Sequence, residues 1–433
     1  MPETDATWSN WSGSVTCQPD AIATPRDEDE LKRLLAGTSG RVRVRGTGHS
    51  FTPVCATDGL LLDLSEMEGV FLGRSGSSDA PVARLNAGRS LNSLSQAMQA
   101  EGLAFRNLGD IDVQTLAGAT MTGTHGTGKD LPCIAAEIRA VRLLTAGGEI
   151  VEANQDDNPD LLNAARISLG TLGILLQAEI AVKPAYKLRR QASARRLDEL
   201  LADAPALWER HRHFEFFALP FCDHALSIIH DETTGEDMHE GAGDDEQTMV
   251  QLKRLRDLTK RLPWLRRKVM NAVARGIKPE IRVADSWRVL SNVRNTRFHE
   301  MEYHLPVNQG LEALAEVIAL IERERPDVFF PIECRMTAGD TAWLSPFQNG
   351  PRISVAIHAH QPDDYSWFIE RAEPLFRARA GRPHWGKLHS LTAGELTDLY
   401  PDFHRFQALR REFDLVGRFL NPHLAGLFGE SLD

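Results

Sequence analysis

The chain has 433 residues and carries 49 Lys and Arg against 60 Asp and Glu, a formal net charge of -11. At about 100–200 residues per domain this length predicts two or three domains with a proper core, and the composition, 42% hydrophobic and 25% charged, argues against a mainly disordered chain. The acidic balance gives no electrostatic footprint for nucleic acid, and no run approaches about 18 uninterrupted apolar residues, so neither nucleic-acid binding nor a transmembrane helix is expected.

The N-terminus, Met1 to Trp11, lacks a basic start and an apolar segment, so no signal peptide is expected. The cysteines Cys17, Cys55, Cys133, Cys222 and Cys334 are scattered, without CxxC or zinc-like spacing. They fit reduced thiols in a cytoplasm, with no metal expected.

Residues 25–35 carry apolar side chains at helical spacing, with Thr24-Pro25 as cap and first turn. Short β-like runs follow at 41–45, 59–64 and 82–87, then a helical pattern at 91–101, then strands at 141–144, 150–153 and 175–182. This half is rich in glycine at strand ends, which reads as α/β or α+β with ligand-binding loops. Around Lys183-Pro184 the pattern breaks. An acidic, Gly-containing stretch at 231–246 reads as a solvated loop. The basic stretch 253–278, with Leu255, Leu258 and Leu262 between Lys and Arg, reads as an exposed amphipathic helix broken at Pro263. A weak association of that stretch with a membrane surface is left open. Strands return at 298–305, 329–336 and 353–360, with helices at 311–323 and 365–379.

Two loops carry the chemistry. The first, Arg45-Gly46-Thr47-Gly48-His49-Ser50, ends a strand with consecutive backbone N–H groups, a nest for anionic oxygens. A dinucleotide fingerprint needs a third glycine where Phe51 stands, so the ordinary Rossmann reading is weak. The second, Thr122-Gly123-Thr124-His125-Gly126-Thr127-Gly128-Lys129-Asp130, approximates a triphosphate-binding P-loop. Asp130 replaces the hydroxyl that would hold Mg²⁺, and no helix pattern follows before Pro132, which argues against a nucleotide-triphosphate enzyme using Lys129. Two nests about 75 residues apart suit one long ligand with a pyrophosphate and two ends.

These two loops resemble the FAD loops of the vanillyl-alcohol-oxidase-type flavoproteins. The C-terminal His384-Trp385-Gly386-Lys387 and Asn421-Pro422 resemble the branch that holds gulonolactone, arabinonolactone and alditol oxidases. The resemblance runs from Asn10 to Leu424 and is weakest between about Asp231 and Asn295. It implies an α+β fold: a two-subdomain FAD-binding domain with an α+β cap containing an antiparallel sheet. The expected division is 1–184 for the FAD-binding domain, 185–396 for the cap and 397–433 for a segment returning to the first domain.

By the same resemblance His49 carries FAD covalently at the 8α-methyl carbon. Gly46, Thr47, Gly48 and Ser50 hold the pyrophosphate, and Arg45 belongs to the same cofactor contacts. Gly118, Thr122, Gly123, His125 and Gly126 line the other side of the cofactor, with Gly173-Ile174 at its adenine end. Glu333 and Arg335, two apart, share one strand face; spacing alone equally allows a structural ion pair, and the resemblance makes them active-site residues. Arg335 then donates to the oxygen at the carbon being oxidised, and Glu333 orients it or the substrate. His358 matches a histidine near the flavin. His360, on the same strand face, departs from the threonine usual in alditol oxidases, and Asp110 stands where they have serine, so both are expected on the substrate. Lys387 supplies a fixed positive charge near the flavin N1–C2 carbonyl, where negative charge develops when hydride reaches N5. Gly109 leaves oxygen a path to C4a.

The implied reaction is oxidation of an aldono-1,4-lactone, of the L-gulono or D-arabinono type, with O2 as acceptor and H2O2 as product. An alditol oxidase, a lactone dehydrogenase using a quinone or cytochrome, and a flavin-free binding protein that keeps the fold are the alternatives.

Overall fold

The computed structural model describes residues 6–68, 74–75, 81–241, 245–292 and 295–432. Residues 1–5 of the N-terminus and 242–244 of the acidic stretch lie outside the described residues.

Three short parallel strands pair in the order Ala21–Ala23, Leu60–Asp63, Val42–Arg45. Parallel strands require a crossover, and the helix Glu28–Ala36 provides one, burying Leu31 and Leu35 four residues apart. Its cap is Asp27, whose carboxylate accepts from the Glu30 N–H at 2.7 Å. The expected start at Thr24-Pro25 therefore lies ahead of the helix, because Asp27 satisfies the first-turn donor.

The second layer is an antiparallel sheet in the order Ile150–Asn154, Ile138–Leu144, Ile174–Pro184, Val82–Asn86 and Arg74–Ser75, with Leu103–Phe105 on the far end of the long strand. On that strand Ala178, Ile180 and Val182 are buried while Gln177 and Glu179 are half-exposed, the period of two expected of a sheet with one covered face. The helix Leu91–Ala100, capped by Ser90, packs Leu91, Leu94 and Met98 into the same core.

From Lys187 onward the chain builds a nine-stranded antiparallel sheet. Its inner strands run in the order His224–Thr233, His213–Ala218, Ile332–Thr337, Arg352–His360, Phe298–Pro306. The helix Val307–Glu324 starts earlier than its apolar period suggested and sits close on this sheet: a Cβ on Gly310 would lie 2.4 Å from Ile353 Cβ. The basic stretch forms two helices, Asp245–Thr259 and Pro263–Gly276, with Pro263 opening the second. The helix expected at 365–379 is instead a π turn, Phe368–Ala372, followed by a short helix, Glu373–Arg377. Pro374 lacks the N–H that a regular turn would need there.

The C-terminal helices Phe403–Phe413 and Pro422–Phe428 return to the first layer. Val42 N–H donates to the Arg418 carbonyl at 2.9 Å, and Phe419 joins Leu31, Val42 and Leu62 in the core beneath the parallel sheet. Buried Arg43 ties the segments together, donating to the carbonyls of Val54, Leu169 and Phe419. The fold is α+β, as expected. Among the described residues no helix is long and apolar enough to cross a membrane.

Candidate active site

The first glycine loop follows the strand Val42–Arg45. Gly48 turns the chain at φ +77°, and Gly46 has no room for a side chain, since a Cβ would lie 2.6 Å from Thr115 Oγ1. The loop is pinned from outside: Trp11 N–H donates to the Gly48 carbonyl at 2.8 Å, and Phe51 N–H donates to the Gly386 carbonyl at 2.7 Å. His49 stacks on Trp11 at 5.4 Å and lies 3.1 Å from Thr47 Oγ1 through Nδ1. Burial, reinforced by the Lys387 charge, lowers the His49 imidazole to about 4, so it is neutral at physiological pH.

The second loop follows the short helix Leu116–Met121, capped by Thr115. Its glycines divide by role. Gly118 and Thr122 face the same cleft as the first loop. Gly123 (φ +79°) and Gly126 line neither large cavity; a Cβ on Gly126 would lie 2.3 Å from the Leu108 carbonyl oxygen. Here glycine serves packing, and what the loop projects is His125.

The cleft lined by Arg45, Gly46, Thr47 and Gly48 on one side and Gly118, Gly173 and Ile174 on the other encloses about 980 Å³, counting the solvent in its mouth. A second cavity, about 1100 Å³ when the solvent in its mouth is counted, lies under the large sheet. His49, Ser50, Gln114 and Thr122 line both, so the two are contiguous. The glycine walls of the cleft and the lining it shares with the second cavity fit an elongated dinucleotide such as FAD.

Strand register assembles the second cavity. Glu300 pairs with His358 across neighbouring strands, bringing Oε1 and Nε2 to 3.6 Å. Glu215 pairs with Arg335 in the same way, with Nε 2.7 Å from Oε2. Arg335 also forms an ion pair with Glu333 and lies 3.9 Å from Asp110. Three carboxylates thus surround one buried guanidinium. Burial raises the Glu333 carboxyl; Arg335 opposes this, but Asp110 and Glu215 add to it, and the net shift is well upward. The guanidinium itself is held fully charged, because Glu333 and Glu215 outweigh its burial.

Lys387 reaches in from the turn His384-Trp385-Gly386-Lys387, where its N–H donates to the His384 carbonyl at 2.9 Å. Its ammonium pairs with Glu300 and stands 5.0 Å from the Phe51 ring, beside the joint of the cavities. Burial pulls the ammonium down, but Glu300 and then Glu302 outweigh it, so Lys387 stays protonated. His125 donates through Nδ1 to the Gly126 carbonyl at 2.8 Å, and its Nε2 meets Glu302 at 2.9 Å. His304 lies beside this pair but turns Nδ1 to Ser354 Oγ at 2.7 Å. An aromatic wall of Trp11, Phe51, Phe298 and Phe330 also lines the cavity, with Phe51 against Lys387 and Phe298 and Phe330 against His358.

Of the residues expected on the substrate side, Asp110, Glu333, Arg335, His358 and Lys387 line this cavity. His360 does not: it borders a smaller cavity that shares only Phe330 and His358 with this one, and lies 3.9 Å from Asp363. Two residues along a strand is about 7 Å, and the Phe330 ring lies against both histidines, stacked on His358 and tilted on His360. Gly109 lines neither cavity; a Cβ there would meet Thr124 Cγ2 at 3.2 Å and the His125 carbonyl oxygen at 3.3 Å. Thr124 and His125 in turn line the second cavity.

Glu215, Glu300 and Glu302 were not singled out from sequence, and His384 only as part of the motif that ends at Lys387. The signal for two of them is alternation in the strand Phe298–Pro306: Met301, Tyr303 and Leu305 face the hydrophobic core while Glu300, Glu302 and His304 occupy the other, equally buried face.

Residues 178–427 match the family described as D-arabinono-1,4-lactone oxidase, and residues 19–154 match an FAD binding domain. The chain belongs to the D-arabinono-1,4-lactone oxidase family. This family member is 34% identical to an L-gulono-1,4-lactone dehydrogenase of Mycobacterium tuberculosis, over 98% of this chain and 99% of the relative. It is 28% identical to the L-gulonolactone oxidase of Bos taurus, over 97% and 98% of the two chains. An alditol oxidase of Streptomyces sp. is 26% identical over the same shares. In fold it is similar to a solvent-stable cholesterol oxidase, with TM-score 0.81, 16% identity, and coverage of 99% of this chain and 98% of the other. The vanillyl-alcohol-oxidase-type sugar-lactone branch, the FAD cofactor and an oxidoreductase activity follow from these matches.

Proposed function

We propose that this family member oxidises an aldono-1,4-lactone, of the L-gulono or D-arabinono type, by hydride transfer to flavin N5, with O2 as acceptor and H2O2 as product. One observation carries the reading: the glycine-walled cleft opens at His49 into a cavity where Lys387 and Arg335 are held charged. FAD, when bound, supplies the two-electron acceptor. The chain's own residues position the substrate and balance charge. Arg335 donates its guanidinium fork to the oxygen at the carbon being oxidised, and Glu333 and Glu215 hold it in place. Lys387 offers a fixed cation where negative charge develops, an arrangement typically worth ~10²–10³ in rate. Asp110, Glu333 and His358 accept or donate hydrogen bonds to sugar hydroxyls, and the aromatic wall covers the ring's C–H face.

His49 is assigned as a covalent flavin ligand; its neutral imidazole at the joint of the two cavities is the required nucleophile. We assign residues 1–184 with 397–433 to the FAD-binding unit and 185–396 to the cap; the packing of Arg418 and Phe419 on the first layer supports this. The five cysteines are unpaired, which supports a reducing cytoplasm.

The test is a panel of lactones and alditols offered to the yellow protein without oxygen, followed by admission of O2. Bleaching by aldonolactones and peroxide on reoxidation are expected; bleaching by alditols alone would refute the lactone assignment. The dehydrogenase name of the 34% identical relative favours a second reading, in which a quinone or cytochrome takes the electrons. A reduced enzyme that ignores O2 but reduces such acceptors would establish it.

A further inference from the structure

A loop and a strand bring three ligand-type side chains together at the edge of the second cavity. Glu302 and His304, two apart, share one face of the strand Phe298–Pro306. His125 reaches them from the second glycine loop, with 177 positions between it and Glu302. One nitrogen or carboxylate oxygen from each of the three lies within 4.8 Å of the others. All are deeply buried: His304 is 0% exposed, His125 4% and Glu302 5%.

The hydrogen bonds around this group leave its centre short of a cation. His125 commits its Nδ1–H to the Gly126 carbonyl at 2.8 Å, so Nε2 turns a lone pair toward Glu302 Oε1 at 2.9 Å. Two acceptors at that distance repel unless a proton or a metal ion stands between them. His304 places Nδ1 on Ser354 Oγ at 2.7 Å, and its Nε2 has no partner. A proton on His125 serves the pair with Glu302 alone and leaves His304 Nε2 bare in the interior, which native structures seldom tolerate. A metal ion satisfies all three groups at once. The outer contacts also have the form that metal-binding histidines use, in which the second ring nitrogen donates to a carbonyl or hydroxyl and so fixes the tautomer and the ring.

We propose that His125, Glu302 and His304 bind a divalent transition-metal ion of the zinc class. Two imidazoles, one carboxylate and an open position form a set that Zn²⁺ and Fe²⁺ both accept. The ion bonds Nε2 of each histidine and a Glu302 carboxylate oxygen at about 2.0–2.2 Å. His125 and Glu302 also line the second cavity, which gives the ion a way in and leaves its remaining position to water or a substrate oxygen. Once bound, it fastens the second glycine loop to the large sheet. The inference stands independently of which sugar is oxidised and of the electron acceptor.

The test uses the flavin-loaded full chain, stripped with a chelator, dialysed and titrated calorimetrically with Zn²⁺. Crystals soaked in the same ion are then measured on both sides of the zinc absorption edge. One tight site per chain is expected, with an anomalous peak within bonding distance of His125, Glu302 and His304. Ser354→Ala keeps all three ligands and removes only the hydrogen bond that orients His304, so it should lower zinc affinity about tenfold. His304→Ala, which removes a ligand, should lower it further; if that variant does not fold, Ser354→Ala carries the test. A stripped parent that takes up no Zn²⁺ would overturn the inference and leave a shared proton between His125 and Glu302. Zinc found only at surface sites, or an affinity that neither variant changes, would overturn it as well.

Discussion

Glu300→Gln isolates the charge that holds Lys387. The carboxylate is buried and pairs with the lysine ammonium, whose side chain keeps 20% of its surface exposed. The amide can still accept a hydrogen bond, so the change removes charge and little else. Breaking a buried pair costs about 3–5 kcal/mol; the remaining exposure of Lys387 and the nearby Glu302 set the expectation at the lower end, about 3 kcal/mol. The signs follow from the two shifts. Lys387 is raised in the fold, so its contribution is complete below the ordinary lysine value of about 10.4 and is lost as pH rises through the folded value. For Glu300 burial acts upward, but Lys387 and His358 outweigh it and the net shift is down. Its contribution is present above the ordinary value of about 4.3 and is lost as pH falls through the folded one. The destabilisation is therefore largest between about pH 5 and 10. Without Glu300 the burial penalty on Lys387 is opposed chiefly by Glu302, so its pKa falls from the raised value it has in the parent. Anaerobic stopped-flow reduction of the flavin should be flat through neutral pH in the parent with respect to this group. In Glu300→Gln it should decline with rising pH, by ~10²–10³ where the lysine is neutral. A variant that reduces at the parent rate with the parent profile would refute both the pairing and the role of Lys387.

Arg335→Met leaves Glu215, Glu333 and Asp110 facing one another and should cost about 3–5 kcal/mol at neutral pH; Glu333→Gln, which relieves like-charge crowding, should change urea stability little. Equal losses in the two variants would contradict the three-to-one charge arrangement. Flavin fluorescence should stay with the polypeptide on a denaturing gel, and His49→Ala should release it; free flavin from the parent would refute the covalent bond. Gly109→Ala sets a methyl 3.2 Å from Thr124 Cγ2, a contact that needs only a small shift. Reduction by substrate should persist while stopped-flow reoxidation by O2 slows steeply; reoxidation at the parent rate would remove Gly109 from the oxygen path.

Local sequence was enough for the features that depend on few neighbours. Gly46-x-Gly48 after the alternating run Val42-Arg43-Val44-Arg45 marks a strand ending in a nest, because consecutive N–H groups and a positive φ are properties of the tripeptide itself. Glu333-x-Arg335 marks two polar groups on one strand face, because side-chain alternation has a fixed period. The break at Pro263 followed from a missing N–H. What stands across from a residue is a different kind of information. Glu300 and Lys387 are 87 positions apart, Glu215 and Arg335 are 120 apart, and His125 and Glu302 are 177 apart. Periodicity says which residues share a face and nothing about which strand lies beside it, so these partners became visible only in the pairing of the large sheet. The same limit explains His360: its strand face was legible, but the Phe330 ring beside it and His358 comes from another strand's approach. Gly126 shows the converse, a glycine read as a cofactor contact whose tertiary neighbour, the Leu108 carbonyl, leaves no space for a side chain. Sequence thus set the elements and the chemical groups available; burial, register and the enclosure of both faces of the strand Phe298–Pro306 decided which of those groups meet and which stay charged.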